Sequence, residues 1–213
     1  MTGLAERGID HLEMAQYLSA DYEKFYSKTD HHYNLYGAYE TYLRIMEYVN
    51  AHYRTAPVTE GLEITPVESS FLGSRNRKLF GLFQSDDRLY TYTLADPVPF
   101  ERYDNGNPVE ATVFAADRQN MYNYYMGGDV AETVIHTNRP ELPDVLVVGD
   151  SFTNALETIL YTSFDEMRSL DFRHYTEKSI YDYLKEYQPD VILYVRDDLS
   201  YIVTDGNGGL GLQ

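Results

Sequence analysis

The sequence predicts one globular domain with an α/β fold built on a parallel sheet, and three observations support this prediction. After Asp144, short aliphatic runs alternate with segments of helical periodicity, which is typical of parallel strands joined by helices. The 213 residues suffice for a substantial core, and no long linker divides them. Hydrophobic residues at 43% and charged residues at 24% are ordinary for a globular protein. We therefore expect one domain over residues 1–213.

The regular part of the prediction covers residues 144–200, with strands at 145–148, 167–172 and 190–195 and helices at 154–162 and 177–186. The first strand has no polar alternation, so both of its faces should be buried. Gly149 ends it, and Ser151 follows at the carboxyl edge of the sheet, where α/β folds bind ligands. A helix N-terminus there favours negative charge. Ser151 is therefore a candidate nucleophile, although a serine at this position is also a common helix cap.

The first part of the chain predicts two helices around a short extended segment. Residues 4–25 carry a loose apolar stripe, and Asn34 is a plausible N-cap for a second helix from Leu35 to about Tyr53. Between them, residues 25–33 are expected to be extended. Residues i and i+2 of a strand share a side, so Asp30 and His32 should face one site and His31 should face away.

Residues 54–143 are the least regular part, and we expect an insertion that forms one wall of a cleft. Short β-prone runs at 88–94 and 110–114 are separated by turn signals at 86–87, 104–108 and 127–129. The segment carries a small basic cluster, which either contacts an anionic substrate or lies in a solvated loop. The cluster consists of Arg75, Arg77 and Lys78. The tail at 205–209 reads as turn-like or disordered.

Charge and composition exclude several classes of protein. A net charge of −17 argues against a nucleic-acid partner, because phosphate binding needs clustered cations. No apolar run reaches the roughly 20 residues of a membrane span, and no signal peptide is visible at Met1. The absence of cysteine excludes disulfides, cysteine-based zinc sites and a cysteine nucleophile. No motif indicates a cofactor. The 22 tyrosines suit either a sugar-binding cleft or half-exposed structural positions.

Asp30, His32 and Ser151 are together the parts of a Ser–His–Asp triad. In such a triad the histidine takes the hydroxyl proton, and the aspartate fixes its tautomer and stabilises the imidazolium. Asp30, His31 and His32 are also ligand types for zinc. We do not favour a metal site, because adjacent histidines on a strand diverge and no spaced partner motif is present. A packing role is the preferred interpretation of His31, and a turn-forming role that of Asp150.

Two specific motifs and three weaker ones resemble the DHHW family. The first specific motif, at residues 30–33, is Asp-His-His-Tyr where the family has Asp-His-His-Trp. The second, at residues 149–152, matches the family's Gly-Asp-Ser-Phe block. The weaker ones are at 71–74, 125–129 and 170–175, the last resembling a Leu-Asp-Leu-Arg-Tyr-Tyr stretch. The resemblance spans roughly residues 10–200, in the family's order.

This resemblance implies an SGNH-hydrolase-like fold, related to the alginate O-acetylation proteins AlgX and AlgJ. The expected architecture is three-layered and flavodoxin-like, with the motif order of a circular permutation. Ser151 is then the nucleophile, His32 the general base and Asp30 its orienting partner. The implied reaction removes or transfers O-acetyl groups on a polysaccharide or other glycan, outside the cytoplasm, and an acyl-donor protein is a conceivable partner.

The chain also departs from the family and from ordinary SGNH hydrolases. Tyr33 stands in place of the motif's tryptophan, which should alter packing or sugar stacking, and His174 replaces a tyrosine. Ordinary SGNH hydrolases draw oxyanion donors from a glycine and an asparagine, where this chain has Arg173 and Arg196-Asp197-Asp198. Asp197 and Asp198 either line the cleft or lie in a solvated loop. The oxyanion or substrate contacts we predict are Arg173, Tyr33 and Asn154. With donors missing, the alternative function is a weakly active or inactive glycan-binding or scaffold module.

Overall fold

The computed structural model describes residues 2–197 and 203–212, in which helices and strands alternate regularly only from Val145 onward. None of the helices described is long and apolar enough to cross a lipid bilayer. The helices are α1 Thr2–Ala5, α2 Ala15–Leu18, α3 Tyr22–Phe25, α4 Leu35–His52, α5 Ser74–Lys78, α6 Phe152–Leu160 and α7 Ile180–Glu186. The strands are β1 Glu63–Ser70, β2 Arg88–Thr93, β3 Glu101–Asp104, β4 Asn107–Val109, β5 Glu132–His136, β6 Val145–Gly149, β7 Glu166–Leu170 and β8 Val191–Val195.

The α/β class is confirmed, and the predicted parallel sheet is only part of a larger mixed sheet. Its strand order is β4-β3-β5-β7-β6-β8. Strands β7, β6 and β8 run parallel, as the alternation after Asp144 predicts. Strands β3, β4 and β5 run antiparallel along the other edge. Asn105 and Gly106 both adopt positive φ, which gives the tight turn that joins antiparallel strands β3 and β4.

Strand β6 is buried along its whole length, as its aliphatic run predicts. Because successive side chains point to opposite faces, Val145 and Val147 join the core cluster formed with helices α4 and α6. Leu146 and Val148 join a second cluster on the other face, which includes residues of α7. Helices therefore pack on both faces of β6. This packing fixes the position of the strand end, two residues before Ser151. The layering of the whole domain and the permuted motif order remain predictions.

Residues 54–143 contribute strands to two sheets, and their role as a cleft wall stays a prediction. Strands β1 and β2 make a separate two-stranded sheet, but β3, β4 and β5 extend the main sheet itself. The predicted run at 110–114 is not a strand and contributes one isolated bridge, between Phe114 and Tyr125. Strands β3, β4 and β5 were not predicted from the sequence, because they are short and lie in a segment rich in turn-forming residues.

The helix predicted over 4–25 needs correction, while the turn-like alternative for the tail is confirmed. The helix predicted over 4–25 is broken into short pieces, because Gly8 adopts a positive φ after α1 and the Asp21 side chain caps a new start before α3. The tail is ordered at residues 206–208, which form a 3₁₀ turn whose central Asn207 is 1% exposed. By contrast, α4 follows its prediction closely, since the Asn34 side chain accepts hydrogen bonds from the Tyr36 and Gly37 N–H groups.

The packing of α6 against α4 generates a stability prediction. Leu156 of α6 is fully buried, so Leu156→Ala should lower the free energy of unfolding by about 2–5 kcal/mol, through lost transfer energy and a residual cavity. Leu82 is a matched control because it is 78% exposed, and Leu82→Ala should change the same quantity by less than about 0.5 kcal/mol. Urea unfolding of both variants measures the difference, and equal losses would contradict this account of the core.

Candidate active site

The His32 ring lies between Asp30 and Ser151. Its Nδ1 is 2.7 Å from Asp30 Oδ1, and its Nε2 is 2.8 Å from Ser151 Oγ. Both distances are within hydrogen-bond range, and 119 positions of sequence separate the ring from the serine. His32 and Asp30 are buried and Ser151 is partly exposed. A substrate arriving from solvent can therefore reach the hydroxyl while the pair behind it stays shielded from water.

A bend, and not the predicted extended strand, presents Asp30 and His32 to the same site. Residues 28–32 are bent, and a bridge between Tyr26 and Tyr33 closes the bend. Asn34 links the bend to α4. Its side-chain nitrogen donates to the Lys24 carbonyl at 2.8 Å, while its side-chain oxygen caps α4. The bend is thus fixed to the start of α4, which gives Asp30 and His32 a rigid support.

Four N–H groups surround the Asp30 carboxylate. Its Oδ1 accepts from His32 Nδ1 and from the backbone N–H groups of His31 and His32, and its Oδ2 accepts from the Ser74 N–H at 2.5 Å. Burial alone would raise the pKa of this carboxyl, but the hydrogen bonds from His32 and Ser74 outweigh burial and hold the pKa well below its ordinary value. Asp30 is therefore ionised at neutral pH and can stabilise a protonated His32.

Gly73 allows Ser74 to reach Asp30. A Cβ at position 73 would lie 2.4 Å from the Thr29 carbonyl oxygen, a distance that side-chain carbons do not tolerate. Only glycine lets the start of α5 approach the bend so closely. The Thr29 carbonyl also accepts from the Arg75 and Asn76 N–H groups, which locks the two segments together.

Ser151 occupies the N-cap position of α6, yet its side chain makes no capping hydrogen bond. Asp150 instead accepts from the Phe152 N–H at 3.0 Å and shapes the turn. The Asp197 N–H also donates to Asp150, at 3.3 Å, so the backbone of that loop lies beside the turn, while Asp198 is outside the described residues. The Ser151 hydroxyl is therefore available to His32. Within residues 2–197 and 203–212, no hydrogen bond engages the Ser151 N–H, which leaves it available to an oxyanion.

Aromatic rings hold the His32 imidazole in place. The Tyr122 ring stacks on it with centroids 3.7 Å apart and planes 7° apart, and Phe152 contacts it at 4.9 Å. Tyr33 is buried and its hydroxyl donates to the Phe152 carbonyl. The prediction that Tyr33 contacts substrate is therefore not supported by its position. It acts as a packing residue that joins the bend to α6.

Arg173 and Asn154, two of the predicted substrate or oxyanion contacts, both hydrogen-bond to Asp129. Arg173 pairs with Asp171 and with Asp129, the latter at 2.9 Å, and the Asn154 amide donates to the other oxygen of Asp129 at 2.9 Å. A polar cavity of about 10 Å³ lies beside Asp129 and Asn154, which is about the size of one water molecule. Asp129 thus engages both predicted donors, and their oxyanion role stays a prediction.

Comparison with known proteins identifies the fold. No family model and no curated protein matches the chain. Among solved structures, PatB1 from Bacillus cereus superposes with a TM-score of 0.76 at 25% identity, covering 90% of this chain and 70% of PatB1. PatB1 with a sulfonyl adduct gives a TM-score of 0.73 at 23% identity, covering 90% of this chain and 69% of that one. A DHHW family protein from Eubacterium siraeum gives 0.73 at 19% identity, covering 91% of this chain and 66% of that protein.

The chain has the DHHW-family fold. The residues that the family resemblance singles out in sequence, Asp30, His32 and Ser151, are the three that this fold brings into contact. The O-acetyltransferase domain of Pseudomonas putida AlgJ gives a TM-score of only 0.48 at 12% identity, covering 99% of this chain and 63% of that one.

His31 lies closer to this site of the DHHW-family fold than the sequence predicts. Its ring centroid is 3.8 Å from that of His32, and its Nδ1 is 2.8 Å from Ser74 Oγ, so the two histidines do not diverge. Ligand atoms of Asp30, His31 and His32 lie within 4.8 Å of one another. Both nitrogens of His32 are already in hydrogen bonds with Asp30 and Ser151, so metal binding would break the triad geometry. Burial, followed by the neighbouring His32, lowers the pKa of His31.

Sequence reasoning missed three residues that support the site in this DHHW-family fold. Ser74 donates to Asp30, and the weak family pattern at 71–74 was its only signal. Tyr122 stacks on His32 and had no sequence signal, since it lies in an irregular segment. Asn207 donates to the Gly149 carbonyl at 2.6 Å and accepts from the Phe172 N–H at 2.6 Å. It thereby joins the tail to the end of β6.

The low pKa of Asp30 predicts a pH-dependent stability difference. The folded state favours the ionised carboxylate, so this contribution is fully present above the ordinary pKa of 3.8. It is lost as the pH falls through the lower folded-state pKa. Asp30→Asn cannot ionise, so the gap in free energy of unfolding between wild type and variant should be largest near neutral pH and shrink below about pH 4.

Urea unfolding of both proteins at about pH 7, 5 and 3 measures this gap. Asp117→Asn is the control, because Asp117 is highly exposed and its substitution should leave a small and nearly constant difference. A gap for Asp30→Asn that stays unchanged down to about pH 3 would show that the carboxylate is not preferentially ionised in the folded protein.

Proposed function

We propose that the protein is a serine-dependent acyl-transfer enzyme, a carbohydrate esterase or O-acetyltransferase acting on O-acetyl groups of a polysaccharide or other glycan. The observation that carries this proposal is the position of the His32 ring, 2.7 Å from Asp30 and 2.8 Å from Ser151. A nucleophile, a base within hydrogen-bond reach and a third group that orients the base form the arrangement that covalent acyl catalysis requires.

The reaction follows from these contacts. Ser151 Oγ attacks the acetyl carbonyl carbon while its proton passes to His32 Nε2. The resulting oxyanion is stabilised by the Ser151 N–H and by the N-terminus of α6. The tetrahedral intermediate collapses, the sugar oxygen leaves with the proton from His32, and an acetyl group remains on Ser151. Asp30 stays ionised throughout and stabilises the imidazolium.

The second half of the reaction decides between hydrolysis and transfer. Water, or a hydroxyl of an acceptor glycan, attacks the acetyl-serine with His32 again acting as base. Both outcomes share one acyl-enzyme, so an acyl-donor partner protein is compatible with the same site. The family resemblance favours a glycan as substrate and a location outside the cytoplasm. The similar PatB1 structure that carries a sulfonyl adduct supports the use of a sulfonyl reagent as a probe, because such reagents label nucleophilic atoms.

A second candidate function is a glycan-binding or scaffold module with little or no turnover. The specific observation that favours it is the Asp129 network, which engages Arg173 and the Asn154 amide. Loss of one oxyanion donor typically costs about 2.7–4 kcal/mol of transition-state stabilisation. With the Ser151 N–H as its clear donor, the site would then retain the triad geometry without efficient catalysis.

Two helix-initiating serines give a sharp test of the catalytic proposal. Ser151 sits at the start of α6 without capping it, whereas the Ser179 side chain accepts from the Asp182 N–H and caps α7. Ser151→Ala should reduce hydrolysis of 4-nitrophenyl acetate by about 10⁴-fold or more, with little loss of stability. Ser179→Ala should keep full activity and lose about 1 kcal/mol of stability. Initial rates and urea unfolding of both variants provide the two readouts.

A sulfonyl fluoride separates the two candidate functions. In an active site, Ser151 Oγ displaces fluoride from sulfur while its proton passes to His32, and intact-mass measurement should show one adduct in wild type and in Ser179→Ala but none in Ser151→Ala. Equal ester hydrolysis by wild type and Ser151→Ala would contradict the enzyme proposal. Glycan binding that survives Ser151→Ala, together with no adduct in wild type, would favour the scaffold.

A further inference from the structure

The segment at residues 72–83, named here the basic–apolar loop, exposes large apolar side chains beside the active site. Phe80 is 94%, Leu82 is 78% and Phe83 is 65% exposed. Leu72 and Leu79 are also exposed. Single exposed apolar residues are ordinary, but a group of this size in one short segment is characteristic of an interaction surface.

The loop is built to hold this exposed conformation. Asn76 is buried, its amide nitrogen donates to the Phe83 carbonyl at 2.7 Å, and its side-chain oxygen accepts from the Phe83 N–H at 3.2 Å. The Asn76 carbonyl also accepts from the Gly81 N–H. Phe80 adopts a positive φ, which is unfavourable for a bulky residue and persists only where neighbouring contacts impose it. The exposed apolar side chains of the loop are therefore held in a defined backbone conformation.

The same loop carries a local positive charge in a strongly acidic chain. Residues 72–83 contain Arg75, Arg77 and Lys78 and no carboxylate, while the whole chain has a net charge of −17. The three cations are exposed, and none of them forms an ion pair with any residue that the structure describes. An anionic surface would attract this loop and repel most of the remaining surface, which fixes one orientation.

We propose that the basic–apolar loop docks the protein on the surface of an anionic lipid bilayer. Phe80 and Leu82 enter the boundary between headgroups and acyl chains, and the flanking cations contact the lipid phosphates, as in other interfacial anchors. An acidic glycan would satisfy the cations but would leave these apolar side chains in water. A bilayer accepts both, and so it is the occupant that the loop fits best.

Docking would bring the candidate active site close to the membrane. The loop includes Ser74, whose N–H donates to Asp30 and whose hydroxyl contacts the His31 ring. The site would then act on chains or donors presented at a lipid surface. This inference concerns binding alone and does not depend on the proposed acyl chemistry, because Ser151→Ala should bind membranes as well as wild type does.

Vesicle co-sedimentation of the full chain tests the proposal. The protein should bind vesicles that contain phosphatidylglycerol, bind neutral phosphatidylcholine vesicles far less, and dissociate at about 1 M salt, where charges are screened within about 3 Å. Phe80→Ala with Leu82→Ala should weaken binding by about tenfold or more. Replacing Arg75, Arg77 and Lys78 by glutamine should weaken it by about fivefold per residue.

Tyr181→Ala and Lys185→Gln are the matched controls, because both side chains are exposed on α7, away from the loop. Thermal unfolding shows whether each variant is folded. No binding of wild type to phosphatidylglycerol vesicles would overturn the proposal, as would binding that neither loop variant weakens. Binding only to vesicles that contain membrane proteins would also overturn it and would assign the loop to a protein partner.

Discussion

The buried carboxylate of Asp30 is the constraint on which the candidate site depends. An ionised group removed from water is costly unless hydrogen bonds replace its hydration, and here those bonds come from the His31–His32 bend and from Ser74 at the start of α5. Satisfying this one charge fixes the bend, the start of α5 and the orientation of the His32 ring at the same time. The geometry of the candidate site thus also compensates for the loss of hydration of a buried charge.

Ser151 is positioned by different interactions. Strand β6 is buried on both faces by apolar packing, and its end fixes the place of Ser151 through the turn that Asp150 holds. The two halves of the site meet because α4, which carries the bend at its N-terminus, packs with α6 in one core. Hydrophobic packing therefore sets the distance between Ser151 and His32, and hydrogen bonding sets the direction of the ring.

The sequence predicted those parts of the molecule that local patterns determine. The aliphatic run at 145–148 and the cap at Asn34 gave β6 and α4 almost to the residue, and the family motifs pointed to Asp30, His32 and Ser151. The antiparallel strands at 101–136 were not predicted, because they are short and pair with strands distant in sequence. The contacts of Asp129 with Asn154 and Arg173 were not predicted, since no sequence pattern reveals hydrogen bonds between residues 25 and 44 positions apart. The role of Tyr122 was not predicted either, because ring stacking on His32 produces no periodic pattern in the sequence.

The contacts of Asn207 have a practical consequence for handling the protein. Its side chain links the Gly149 carbonyl, the Asp171 carboxylate and the Phe172 N–H, so one amide connects the end of β6 with the segment that follows β7. Shortening the polypeptide before this residue would leave those buried groups unsatisfied, at about 1–3 kcal/mol each, directly behind the serine turn. The glycine-rich tail therefore has to be retained in any trimmed form that is meant to keep its reactive hydroxyl in place.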